Sequence, residues 1–134
     1  ELAVGSRIEQ LMRQPCVNLV GKDTLLEMLA TLQRATVLVS PDSGPAHMAT
    51  TVGTPVIGLY AATNPARSGP YYSRSWCVDR YDAAARDFLG RPANDVAWTT
   101  KIERPGVMDL IRVDDVIERL DALVAAGAPR TPTG

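Results

Sequence analysis

Two short apolar runs bracket a helical segment, and they fix most of what this chain can become. Thr36-Val37-Leu38-Val39-Ser40 and Pro55-Val56-Ile57-Gly58-Leu59-Tyr60 are continuous rather than alternating, as expected of strands covered on both faces. Pro45 to Val52 lies between them and reads as a short helix, ended by Gly53 at a C′ position. Upstream, Thr24 to Ala35 carries Leu25, Leu26, Leu29 and Leu32 as one helical stripe. Before it, Val17-Asn18-Leu19-Val20 reads as a strand and Gly21-Lys22-Asp23 as a turn. Strand, helix, strand, helix, strand in this order predicts the α/β class, with a doubly wound parallel sheet and right-handed crossovers.

The flanks are less regular. Ser6 to Gln14 places Ile8, Leu11 and Met12 at helical spacing before Pro15. Residues 61–75 read as a loop, Ser75 to Val78 as a strand and Asp82 to Leu89 as a helix. Residues 90–108 contain breakers and receive no assignment. Asp114 to Ala126 is a helix with Val116, Ile117, Leu120, Leu123 and Val124 as its stripe, Asp114 and Asp115 in its first turn, and Gly127 ending it. This gives one domain over residues 1–127, with 128–134 expected to fray.

Composition narrows the function classes. The chain has 134 residues, 46% apolar and 22% charged, which excludes a disordered tail or a coiled-coil rod. A net charge of −1 gives no electrostatic case for nucleic acid or an anionic membrane. No apolar run approaches the roughly 20 residues of a membrane span. Cys16 and Cys77 have no CxxC spacing and read as buried thiols in a reducing cytoplasm. A lone histidine excludes a multi-histidine metal centre, and no metal ligands are assigned. Glu1-Leu2-Ala3-Val4 reads as the interior of a longer chain.

In an open parallel sheet, ligands bind beyond the carboxyl ends of the strands. Three loops leave such ends here: Gly21 to Thr24, Pro41 to Gly44, and Ala61 to Gly69. In the second, Asp42-Ser43-Gly44-Pro45 leads straight into a helix, with Pro where an N–H is dispensable. The N–H groups of Ala46 and His47, with the helix dipole, would make a small anion site, and Gly44 leaves the backbone open to a phosphate. The same tetrapeptide is also good capping chemistry, with Asp42 or Ser43 satisfying helix-start N–H groups. His47 reads either as a helix-surface side chain or as a phosphate contact. The third loop offers hydroxyls, an amide and Arg67, as a ligand lid or as a solvated connection. Lys22 faces the same rim, either toward phosphate or toward solvent. No GxGxxG, Walker loop or GxSxG elbow occurs. Ser43 and His47 lie too close in sequence for a Ser-His-Asp triad.

Taken in order, Asn18-Leu19-Val20-Gly21-Lys22, Asp42-Ser43-Gly44-Pro45-Ala46-His47-Met48-Ala49, Gly53-Thr54-Pro55, Thr63-Asn64-Pro65 and Gly69-Pro70-Tyr71 resemble glycosyltransferase family 9, the lipopolysaccharide heptosyltransferases. The likeness is to their C-terminal, nucleotide-sugar-binding domain, strongest over residues 17–72. It implies a GT-B-type pair of Rossmann-like domains, this chain being the C-terminal one, truncated at its start. It implies an inverting transfer of heptose from ADP-heptose to a lipid-linked sugar acceptor of the inner core, with no cofactor and no required metal. By position, Asp42, Ser43, Gly44 and His47 would line the donor diphosphate, with Thr63, Asn64 and Lys22 nearby and Glu1 as the ribose ligand. Ala61 and Ala62 depart from the Gly and Pro or Ala common before the third-loop Thr. The catalytic base and the acceptor site would lie in a separate upstream domain, leaving this piece inactive alone. The implied location is cytoplasmic, peripheral at the inner face of the inner membrane. The rival reading is a non-catalytic flavodoxin-like module that holds a nucleotide or a protein.

Overall fold

The computed structural model describes residues 1–130. Strands β1 (Leu38–Pro41), β2 (Val56–Tyr60) and β3 (Val78–Asp79) form a parallel sheet in that order. Leu38 pairs with Val56 and Leu59 with Val78. Helix α1 (Leu2–Leu11) and helix α2 (Leu25–Arg34) precede the sheet, and α3 (Gly44–Thr51) crosses from β1 to β2. A one-turn helix α4 (Pro65–Ser68) and a 3₁₀ turn at Arg74–Trp76 connect β2 to β3. Helices α5 (Tyr81–Leu89) and α6 (Val113–Ala125) follow.

Successive strand residues face opposite sides of a sheet, and β2 uses both. Val56 packs with Leu32 of α2 and with Ala46 and Ala49 of α3, whereas Ile57 packs with Val78 and with Leu123 of α6. Helices therefore cover both faces, the doubly wound arrangement that continuous apolar strands require. Ala46 and Ala49 are fully buried and small, so α3 lies close on the sheet. Its approach sets where the loop after β1 emerges. A further core of Ala61, Tyr81, Ala84, Ala85, Ile102 and Val107 joins α5 to the irregular stretch beyond it. The Ile102 N–H donates to the Ala62 carbonyl at 2.8 Å, and the Tyr81 hydroxyl to the Thr100 carbonyl at 2.9 Å. The stretch that had no assignment is thus ordered by tertiary bonds, with 3₁₀ turns at Ala93–Asp95 and Val107–Leu110.

The helix at 24–35 has the ends its sequence implies. Thr24 and Glu27 form a capping box, with the Thr24 N–H donating to Glu27 Oε2 at 2.7 Å. These bonds to Thr24 hold the Glu27 carboxyl below its usual range. Glycines 53, 90 and 127 take left-handed φ values of 77°, 70° and 81° after α3, α5 and α6, a conformation that suits glycine at helix ends.

Several expectations are corrected. No strand forms at 17–20; the Asn18 carboxamide oxygen accepts the Val20 N–H at 3.1 Å, and a turn follows at once. A side chain that satisfies its own neighbouring backbone competes with a sheet ladder, and among the described residues β1 is paired to β2 alone. The first helix spans Leu2–Leu11 rather than 6–14. It runs through Gly5, where a Cβ would sit 2.8 Å from Val20 Cγ2. The third strand is Val78–Asp79, and the stretch before it is a 3₁₀ turn. On α2, Leu32 is buried while Leu25 and Leu26 are exposed, and on α6 Leu123 is buried while Ile117 and Val124 are exposed. Cys77 is buried, but Cys16 is only partly so. Fraying does not begin at residue 128. The Arg130 guanidinium donates to the carbonyls of Gln33, Ala35 and Val52 and to Thr54 Oγ1. The remainder of the expected tail, 131–134, lies outside the described residues.

Candidate functional site

The loop after β1 delivers Asp42, Ser43 and Gly44 to the carboxyl end of the sheet, and the loop after β2 delivers Thr63 and Asn64 to the same end. The capping alternative for the first loop is not realised. Ser43 is the N-cap of α3 by position, yet its side chain makes no cap bond; its hydroxyl pairs with Ser40 Oγ at 2.8 Å. Asp42 makes no hydrogen bond to a helix-start N–H among the described residues and accepts the Ser68 hydroxyl at 2.7 Å. The Ala46 N–H, expected to face outward, donates to the Ser43 carbonyl at 3.1 Å. Pro45 has no N–H, and the Gly44 N–H finds no partner among the described residues. The start of α3 therefore presents an open backbone donor at the positive end of a helix dipole. A Cβ at Gly44 would meet nothing within 4 Å, so the approach to that donor is clear.

The two loops are joined by hydrogen bonds that no sequence spacing announces. Ser68 Oγ bonds Asp42 across 26 positions, and the Ser68 carbonyl accepts the Tyr60 hydroxyl at 3.2 Å. Burial pushes the Tyr60 phenol well above its ordinary range, and the charge of Asp42 adds to the shift. Tyr60 therefore stays a neutral donor. Residues 61–75 are not the open loop expected, since α4 and its bond to Asp42 tie them down. Asn64 caps α4 by accepting the Ala66 N–H at 2.9 Å, which leaves its amide nitrogen to donate elsewhere. Arg67, on the same turn, has a buried Nε with no hydrogen-bond partner among the described residues. Ser68 and Tyr60 are the additions the structure makes, while Arg67 was already a candidate of the third loop. Serine and arginine in this loop were visible in the sequence, but their partners were not.

His47 lies one turn into α3, with Nε2 3.9 Å from Asp42 Oδ1 and a side chain 55% exposed. Asp42 is 21% exposed, so the pair faces the rim with the carboxylate recessed. Thr63 is partly buried beside Asn64. Lys22 Nζ donates to the Asn18 carbonyl at 3.0 Å, which closes its own turn. Glu1 is exposed at the start of α1, makes no side-chain cap bond there, and lines a cavity with Val4, Ile8 and Val20. No hydrogen bond or ion pair among the described residues links Glu1 or Lys22 to Asp42, Ser43 or His47. No helix among the described residues is long and apolar enough to cross a membrane.

Comparison with known proteins adds an independent line. The model of glycosyltransferase family 9 (heptosyltransferase) matches residues 1–94. The lipopolysaccharide core heptosyltransferase OpsX of Haemophilus influenzae is 39% identical over 123 residues, 92% of this chain and 35% of that protein. The lipooligosaccharide heptosyltransferase 2 of the same species is 39% identical over 79 residues, 56% of this chain and 23% of its own length. The lipopolysaccharide heptosyltransferase 3 of Escherichia coli is 30% identical over 135 residues, all of this chain and 36% of that protein. The chain thus spans about a third of the length of OpsX and of heptosyltransferase 3. No solved structure matches it significantly. A parallel sheet with helices on both faces, an uncapped helix start at its rim and this family match agree: the chain belongs to glycosyltransferase family 9.

Proposed function

We propose that this chain is the donor-binding, C-terminal part of a heptosyltransferase that moves heptose from ADP-heptose to the lipopolysaccharide inner core. The observation that carries the reading is the open helix start at Gly44. Both side chains that would ordinarily cap it are engaged elsewhere. In an inverting transfer, the acceptor oxygen bonds the anomeric carbon from one face while the diphosphate leaves from the other. Negative charge then grows on the departing phosphate oxygen. A helix-start N–H and its dipole stabilise such charge, and Arg67 adds a cation on the neighbouring loop.

Asp42, Ser43, Gly44 and His47 line the diphosphate in this reading, with Thr63 and Asn64 on the facing loop. Asp42 positions rather than protonates. Its bond to Ser68 fixes the gap between the two loops, and a carboxylate facing a diphosphate would repel it. Lys22 pairs with the phosphates from the first loop, and Glu1 holds the ribose. The proton of the acceptor hydroxyl passes to a base in another part of the longer protein, which also holds the lipid-linked acceptor. The enzyme then works at the cytoplasmic face of the inner membrane, as a peripheral protein.

Calorimetric titration of the chain with ADP, ADP-heptose and UDP tests the donor assignment. ADP and ADP-heptose are expected to bind weakly, because only one wall of the cleft is present, and UDP is expected not to bind. Binding of UDP with none of ADP overturns the assignment.

A further inference from the structure

Beside the diphosphate loops lies a second concavity of about 260 Å³. Its walls are Asn64, Tyr81, Asn94 and Trp98, with Val96 and Ala97 between them. The chemistry of these walls is specific. Trp98 is 60% exposed and lines the concavity, so an aromatic surface is open to an occupant there. Tyr81 is buried in the core and its hydroxyl is engaged with Thr100, so it backs the wall and offers neither a donor nor an open ring face. Asn64 has its carbonyl oxygen on Ala66 and its amide nitrogen free, and the Asn94 amide has no side-chain partner among the described residues. An exposed aromatic face flanked by two carboxamides suits a ligand with an apolar C–H face and a rim of hydroxyls. A charged or purely apolar ligand would leave one of these features unused.

The geometry points to a pyranose-binding subsite, with a sugar ring stacked on Trp98 and its hydroxyls held by Asn64 and Asn94. Asn64 is shared with the loop assigned to the donor, which places the ring next to the diphosphate. The source of the ring rests on the transferase reading: it belongs either to the donor or to the acceptor. The existence of the subsite does not rest on that reading.

Two experiments separate the possibilities. In this chain, labelled at its tryptophan indoles, the Trp98 N–H resonance is expected to shift on addition of methyl α-mannopyranoside, used as a simple pyranose probe. The shift should shrink in Asn94→Ala, whose exposed side chain can be removed without disturbing the core. An acyclic polyol at the same concentration should leave the resonance in place. No shift with the pyranoside, or an equal one with the acyclic polyol, overturns the subsite.

In the full-length transferase, Trp98→Ala is expected to raise one KM about tenfold, the size of effect of losing a single good contact. A rise confined to ADP-heptose, with ADP inhibition unchanged, assigns the donor's sugar. A rise confined to the heptose-free core acceptor assigns the acceptor's sugar. Both constants within about twofold of the parent, well below that tenfold, overturn the subsite. If the parent itself fails to use ADP-heptose, the transferase reading falls, while the indole shift still decides the pocket.

Discussion

Gly44 and Ser43 are adjacent, yet their substitutions test different things. A side chain at Gly44 meets no atom of the protein within 4 Å, so Gly44→Val leaves the fold intact. Its stability should change by no more than about 0.5 kcal/mol, as at other open surface sites. The new side chain instead stands beside the open Gly44 N–H at the helix start, and ADP affinity should fall tenfold or more, roughly the 1.4 kcal/mol of a lost contact. Ser43→Ala removes the hydroxyl pair with Ser40 rather than a helix cap. It should cost about 0.5–1.5 kcal/mol of stability and weaken ADP binding less than Gly44→Val does. Thermal melts and calorimetry on the two variants check both halves. Unchanged ADP affinity in Gly44→Val removes the phosphate from this loop.

The elements are held to one another by contacts of unequal kind. The face of α3 is small side chains, so its position is set by close packing. α6 is held by Leu123 on one side and by charge on the other: Arg80, just after β3, meets Asp115 at 2.7 Å. The Arg80 hydrogen bond, aided by the Arg112 backbone N–H, holds the Asp115 carboxyl below its ordinary 3.8. A carboxyl depressed in the folded state stabilises the protein above its unfolded value, and that contribution is lost as pH falls through the folded one. The pair should therefore contribute at neutral pH and fade below about pH 4, where the unfolded chain binds the proton first. Asp115→Asn should be less stable near neutrality and should show a shallower loss on acidification, read from urea midpoints across the acid range. Parallel acid limbs in the two proteins count against the pair.

At the scale of the whole molecule, the first elements of the chain leave much apolar surface open. Leu2, Val4, Ile8 and Leu11 of α1, with Val17, Leu25 and Leu26, are exposed apolar side chains on the elements that precede the sheet. No residue of α1 is buried. Patches of this kind mark surfaces that other parts of a protein cover, and the relatives are about three times longer than the matched segment. Transfer also needs the acceptor aligned with the donor, which contributes about 7–11 kcal/mol of barrier reduction, and a base within about 2.6–3.2 Å of the hydroxyl. Incubation of this chain with ADP-heptose and a heptose-free core should therefore give no product one heptose heavier by mass spectrometry. Turnover by the chain alone, abolished by His47→Ala, would place the base at His47 and reverse the division of labour proposed above.

The α/β class, the two central strands, the helices α2, α3, α5 and α6, and the rim loop at Asp42–Gly44 were all legible in the residues. Each rests on a local signal: a continuous apolar run, an apolar stripe at helical spacing, a glycine past a helix end. What failed was local signal without a partner. Val17 to Val20 has strand composition, but a strand exists only when a neighbour accepts its hydrogen bonds, and Asn18 satisfies Val20 first. The stripe on α2 was read correctly as apolar, yet only contact with α3 and the sheet decides that Leu32 is buried and Leu26 is not. Whether Asp42 or Ser43 caps the helix was undecidable from their own tetrapeptide. It turned on Ser68 and Ser40, which take Asp42 and Ser43 away from the helix start. The sequence by itself determined which segments have a period and where they stop, because those depend on neighbours a few residues away. Only the tertiary structure decided which polar groups find partners across the fold, and so which backbone donor is left open at the rim.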